Sequence, residues 1–209
     1  MAKLNVNPTR QEIQRLKARL KTAVRGHKLL KDKTDETIRR FMGFVRENLR
    51  LRKEIESEMP LILKSFLLAS AVNGREKVEE AVMLPSQTVS LITREKNIMG
   101  VTVPEFEIAA SSETDIFPYS FASISYELDL AASSLNKLLQ KLVRLAEVEK
   151  TANMLADEIE KSRRRVNALE YILIPDLNET IKYITMKLSE NERGATVRLM
   201  KVKDIIRKE

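Results

Sequence analysis

Cysteine and tryptophan are absent from the 209 residues, histidine occurs once, and aromatic side chains make up only 5%. Without cysteine there is no disulfide framework, no thiolate metal site and no thiol nucleophile. The lone His27 excludes a multi-histidine metal cluster within one chain. The five glycines (Gly26, Gly43, Gly74, Gly100, Gly194) are isolated, and Gly26-His27-Lys28 is not a phosphate-cradling loop. The opening MAKLNVNPTRQE lacks the apolar stretch of a signal peptide. The longest mostly apolar run, PLILKSFLLASAV, has 13 residues and is interrupted by Lys64, too short to span a bilayer. These absences lead us to expect a soluble, cytoplasmic chain with no direct bilayer insertion.

What the chain has is charge, 32% of its residues, unevenly placed. Residues 1–40 net +8 and residues 193–209 net +4, whereas residues 75–131 net −6. Basic termini with an acidic middle suggest an anionic partner. A basic cluster inside a heptad repeat is more often a solvated flank, so nucleic acid is not the expected partner.

Apolar periodicity sets the architecture. Ile13, Leu16, Leu20, Ala23, His27, Leu30, Thr34, Thr37, Phe41, Phe44, Asn48, Leu51 and Ile55 alternate spacings of three and four. Met59, Ile62, Phe66 and Ala69 continue the series. That average of 3.5 residues keeps one seam facing a partner helix. Asn7-Pro8 reads as the helix start, Pro60 as an interruption with a kink, and Asn73-Gly74 as an end, with a helical continuation possible to Leu84. A second seam runs through Leu138, Leu142, Leu145, Val148, Ala152, Leu155, Ile159, Ser162, Val166, Leu169 and Leu173. It then shifts to Leu177, Ile181, Ile184, Leu188, Ala195, Leu199, Val202 and Ile206. The step 169, 173, 177 is a stutter, and Pro175 within it predicts a bend. Helix over 126–207 would be about 120 Å long.

Between the helices, Thr88–Thr93 and Ile98–Val103 read as a β-hairpin of about 88–103, joined by REKN and bounded by Pro85 and Pro104. EFEIAASSETDIFPYS reads as an acidic loop. The expected fold class is mainly all-α: a long antiparallel two-helix coiled coil with a small β-hairpin in the connecting region. It forms a single elongated unit with helices at 8–73 and 126–207 and a connection at 74–125. Folding back places residues near 10 beside those near 205.

No candidate for chemistry survives. Asp157/Glu158 and Glu190/Glu192 lie on solvated faces without the burial that separates two pKa values. Ser133 and Ser134 lack a base. His27 is expected to be structural, with pH sensing or ligand binding as the other reading. His27, Thr34, Thr37, Asn48 and Ser162 interrupt the seams; the expected role is register control, the alternative a shaft thinned to fit a surrounding partner. The run Lys161-Ser162-Arg163-Arg164-Arg165 reads as a salt-bridge ladder with Asp157, Glu158 and Glu160 or as a binding face. The chain is expected to be non-catalytic and to carry no cofactor or metal.

EIEKSRRRVNALEYILIPDLNETIKYITMKLSENER closely resembles the C-terminal helix of the D subunit of V-type and archaeal-type rotary ATPases. NPTRQEIQRLKARLKTAVRGHKLLKDKTDE resembles the N-terminal helix of that family and VSLITREKNIMGVTVP its hairpin, in the same order over nearly the whole chain. Pro60 stands outside the family pattern. The resemblance implies a central-stalk rotor coupling ATP hydrolysis or synthesis in a head of catalytic and non-catalytic subunits (A and B type) to H⁺ or Na⁺ transport. It also implies an F subunit at the side of the stalk, a funnel-shaped subunit above the membrane ring, and a peripheral place on the cytoplasmic face. On that basis, Lys3, Arg10, Arg15, Lys17, Arg19, Lys21, Arg193, Arg198, Lys201 and Lys203 are candidates for a polar bearing in the head. Arg163, Arg164, Arg165 and Tyr171 are candidates for contact with the F subunit or the head, and the hairpin for modulating coupling or seating against the F subunit. The residues alone leave two rivals, a coiled-coil holding chaperone and a nucleic-acid-binding scaffold.

Overall fold

Helix α1 spans Arg10–Asn73. The computed structural model describes residues 6–83, 89–110, 117, 119 and 124–207; Lys3, Pro85 and Thr88 lie outside them. The cap of α1 is Thr9 rather than Asn7: its hydroxyl accepts from the Glu12 N–H at 3.2 Å, and the Ile13 N–H donates to the Thr9 carbonyl. Thr-x-x-Glu supplies half of a capping box, which satisfies one of the unpaired first-turn donors. Pro60 is exposed and does not interrupt α1, which continues thirteen residues past it. The helix stops at Gly74, whose φ of +82° suits a residue without a Cβ. A short helix, α2 (Arg75–Met83), follows.

The hairpin exists, but its turn and length differ from expectation. Strands β1 (Val89–Ile98) and β2 (Val101–Ala110) pair antiparallel, with Ile98 opposite Val101. REKN therefore lies inside β1, and the two-residue loop is Met99-Gly100, both at positive φ. That is the turn whose twist matches the strands. The Gly100 N–H also donates to Asn97 Oδ1 at 2.9 Å. Pro104 does not end β2, because it sits opposite Glu95. Pairs alternate outward from the hydrogen-bonded Ile98–Val101 closure, so position 104 directs its nitrogen away from the ladder and proline removes no bond.

Helix α3 (Tyr126–Ala168) leads into a π turn, Leu169–Leu173, and then α4 (Ile174–Ile206). The chain divides into two compact units, Met1–Glu36 with Ile159–Glu209, and Thr37–Glu158. In the first unit Leu16, Ala23, Leu177 and Ile184 form the core, flanked by Ile13, Leu20, Leu173, Ile181 and Leu188. In the second, Ile55 and Ile62 pack with Leu138, and Ala69, Val78 and Leu128 form a further cluster. Asn73 ties α1 to the start of α3 in that unit: its side chain donates to Ser125 Oγ and accepts from the Ser125 N–H. Pairing is antiparallel in each, as the Arg10–Glu192 ion pair and the His27–Glu170 contact show in the first and the Arg52–Glu149 and Lys141–Glu58 ion pairs in the second. The molecule is mainly α-helical, with long helices paired antiparallel within each unit and, among the described residues, one β-hairpin.

Most predicted seam positions are buried or half-buried, and Thr34, Thr37 and Ser162 are among the buried ones. Thr34 donates to the Leu30 carbonyl of its own helix at 2.7 Å, which satisfies the hydroxyl without a partner on the facing helix. Phe66 departs from the pattern and is exposed.

Candidate partner-binding surfaces

The first unit carries 22 basic against 12 acidic residues, a net of +10; the second carries 15 against 18, a net of −3. Positive charge is thus concentrated on the unit that contains both termini. Within it, Arg10 meets Glu192 rather than a residue near 205. Periodicity fixes which face is buried but not how far two helices slide along each other, and here the register sits more than a dozen residues from expectation. Seam burial consequently ends at Leu188; Ala195, Leu199, Val202 and Ile206 are exposed rather than core. From Arg193 onward α4 runs for about four turns without α1 beside it.

That overhang carries Arg198, Lys201 and Lys203, all exposed, interleaved with Val197, Leu199, Met200, Val202, Ile205 and Ile206. Leu199 is 70% exposed and Ile206 67%. Sequence reasoning named the cations and missed the apolar side chains as a surface, because their spacing reads as buried seam. The available signal was helix length: the C-terminal segments hold 43, 5 and 33 residues against 64 in α1. Arg10, Arg15, Lys17 and Lys21 are exposed on α1, with Arg15 lying 3.9 Å from Glu12. They stand opposite the paired part of α4, so the structure does not gather them with Arg198, Lys201 and Lys203 into one cluster.

A second surface surrounds the π turn. Ser162 and Val166 are buried, which leaves Arg163, Arg164 and Arg165 on the exposed side of α3. Arg164 pairs with Glu160 one turn earlier, one rung of the expected ladder. The π turn is closed by the Ile174 N–H donating to the Leu169 carbonyl. It turns Tyr171 and Ile172 outward, at 69% and 61% exposure. His27 is half-buried on the seam, with Nε2 3.2 Å from Glu170 Oε2.

In the second unit Arg144 bridges Glu47 at 2.9 Å and Glu147 at 2.7 Å. Burial opposes its charge, but hydrogen bonds and attraction to the two carboxylates outweigh burial and raise its pKa. Phe106 and Ile108 of β2 line a groove with Val143 and Arg144 of α3. Tyr119 donates to Asp129 at 2.8 Å; burial and that bond push its phenol above the ordinary range. Among the described residues no group of His, Asp and Glu could hold a metal ion, and no helix is long and apolar enough to cross a membrane.

A sequence profile of the family described as the ATP synthase D subunit matches residues 12–204. The chain belongs to the ATP synthase D-subunit family. The V-type ATP synthase D subunit of Clostridium novyi (strain NT) is 56% identical over 212 residues, covering 100% of this chain and 98% of that protein. The corresponding proteins of Clostridium botulinum (strain ATCC 19397 / Type A) and Clostridioides difficile (strain 630) are 55% and 54% identical, over 98% and 100% of this chain and 96% and 94% of theirs. Membership makes this chain a central-stalk subunit of a V-type rotary ATPase, part of a multi-subunit complex that couples ATP hydrolysis or synthesis to ion transport. The paired helices, the hairpin and the exposed overhang are therefore parts of a stalk.

Proposed function

We propose that this chain is the non-catalytic axle of the complex, at the cytoplasmic face of the membrane, and that the overhang of α4 with the basic face of α1 runs in the ring of A- and B-type head subunits. The observation that carries the reading is the overhang: about four turns of single helix whose apolar and cationic side chains are exposed together. Large exposed apolar groups in such a run mark an interface. A rotor acts by fitting each head state differently, since a surface that bound all states equally would shift none of them. Arg10, Arg15, Lys17, Lys21, Arg198, Lys201 and Lys203 supply polar contacts that exchange as the axle turns, and Leu199, Val202 and Ile206 supply apolar contact. The cations alone would make a polar bearing; the exposed apolar residues support a mixed one.

Arg163, Arg164, Arg165 and Tyr171 with Ile172 form the second contact, toward the F subunit or the head; arginine and tyrosine dominate binding energy where they are central to an interface. Exposed Leu61, Leu63, Phe66, Leu67, Leu68, Val72, Val82 and Met83 support a third, the seat in the funnel-shaped subunit. The test is purification of the tagged chain from its native host. Head subunits should accompany it, with the F subunit at near-equal stoichiometry; recovery of the chain with neither contradicts the reading.

A further inference from the structure

The π turn is the one irregularity in the long C-terminal helical run, and the seam explains its form but not its presence. Seam residues step from Val166 to Leu169 by three, then to Leu173 and Leu177 by four and four. One residue fewer between Leu169 and Leu177 would restore the three–four alternation and an unbroken α-helix. The chain instead holds that residue as a wider turn, with the Ile174 N–H bonded five residues back to Leu169. The core is not disturbed: Leu177 and Ile184 are fully buried beyond the turn, and Val166 is buried before it. What the additional residue does change is outside the core, where Tyr171 and Ile172 are turned to solvent. Two features bound the segment. Pro175 brings no N–H, so a five-residue bond cannot pass to that position. On the facing helix, His27 holds Glu170 across the turn.

We propose that Leu169–Leu173 is a yielding joint in the axle. The wide turn exchanges bonds to carbonyls five residues back for bonds four back, so the helix twists locally while Val166 and Leu177 keep their places in the seam. Pro175 stops the exchange on one side, and the His27–Glu170 contact limits it on the other helix. Segments of π-helix within α-helices frequently coincide with functional sites, and in a shaft under torque the point of weakest backbone bonding takes up twist first. The joint's function rests on the axle reading; its structural half does not.

The test compares deletion of Ile172 with deletion of Lys182, an exposed residue of α4 where the helix is regular. Deleting Ile172 heals the turn and preserves the seam, whereas deleting Lys182 rotates Ile184 and Leu188 out of it. The Ile172 deletion is expected to melt within about 3 °C of the parent or above it, and the Lys182 deletion about 10 °C or more below. In hydrogen exchange, amides 170–174 of the parent should exchange at least about tenfold faster than those of 160–166 and 180–186, and the Ile172 deletion should remove that difference. In the assembled ATPase stalled without nucleotide, a probe on the stalk should show a narrower angular spread with the deletion, whereas Ile172→Ala, which trims the same exposed contact but keeps the wide turn, should leave the spread at its parental width. Equal melting losses for the two deletions, or parental exchange at 170–174 no faster than its flanks, would overturn the joint as a structural element. An unchanged angular spread in a complex that assembles and turns would overturn its mechanical role. Failure of the parent chain to assemble would instead overturn the axle reading on which that role rests.

Discussion

Leu177 and Leu199 are the same side chain on the same helix, yet the first is fully buried and the second 70% exposed. The difference lies in what stands opposite, not in local propensity. Leu177→Ala should therefore lower unfolding free energy by about 3 kcal/mol through lost burial and the cavity left behind. Leu199→Ala should change it by less than about 0.5 kcal/mol. Denaturant melts of the two variants check this, and the order should reverse when affinity for the head is measured. Tyr119 provides a pH test. Its phenol is raised in the folded state, so in strong alkali the unfolded chain gives up that proton first and folding stability falls. The contribution is complete below the ordinary tyrosine pKa near 10 and is lost as pH rises through the folded value. Melting curves of Tyr119→Phe should accordingly lose less stability than the parent between pH 9 and about 11.5, where other groups titrate equally in both.

At the scale of elements, the helices and their buried faces were legible because a repeating three–four spacing has few other physical solutions. Turn positions were not. REKN is polar and looks like a loop, but β1 is exposed all along 89–97, so a polar run sits in the strand without any cost of burial, and Met99 takes a left-handed conformation more natural to asparagine or glycine. Met99→Asn should relieve that backbone and stabilise the hairpin by about 1 kcal/mol. Slower exchange of the β1 and β2 amides would show it, with helical amides unaffected. The start of α1 was misplaced by two residues because Asn7-Pro8 and Thr9-x-x-Glu12 are both start signals, and only geometry shows which oxygen reaches a free N–H. The stutter at 169–177 was visible as spacing. Its resolution into a π turn was not, since a bend at Pro175 satisfies the same count.

For the molecule as a whole, the sequence carried the family through long stretches of residues in order, and it carried the charge asymmetry. It did not carry inter-helix register, which depends on the length of the connection and on ion pairs such as Arg10–Glu192 that a one-dimensional pattern does not pair. The candidate surfaces inherited that gap: the cations were found individually, and the exposed apolar run among them was read as core. With +10 on one unit and −3 on the other, capture by an acidic partner should be steered electrostatically. Replacing Arg198, Lys201 and Lys203 with glutamine should slow association with the head about tenfold at low salt and little at about 0.5 M salt, with stopped-flow mixing as the measurement. Most direct is to fix the head to a surface, attach a bead to this chain in the assembled complex, and add ATP. Unidirectional, stepwise turning of the bead is the expected result; a bead that stays fixed relative to the head while ATP is hydrolysed and ions are transported would contradict the proposal that this chain is the turning axle.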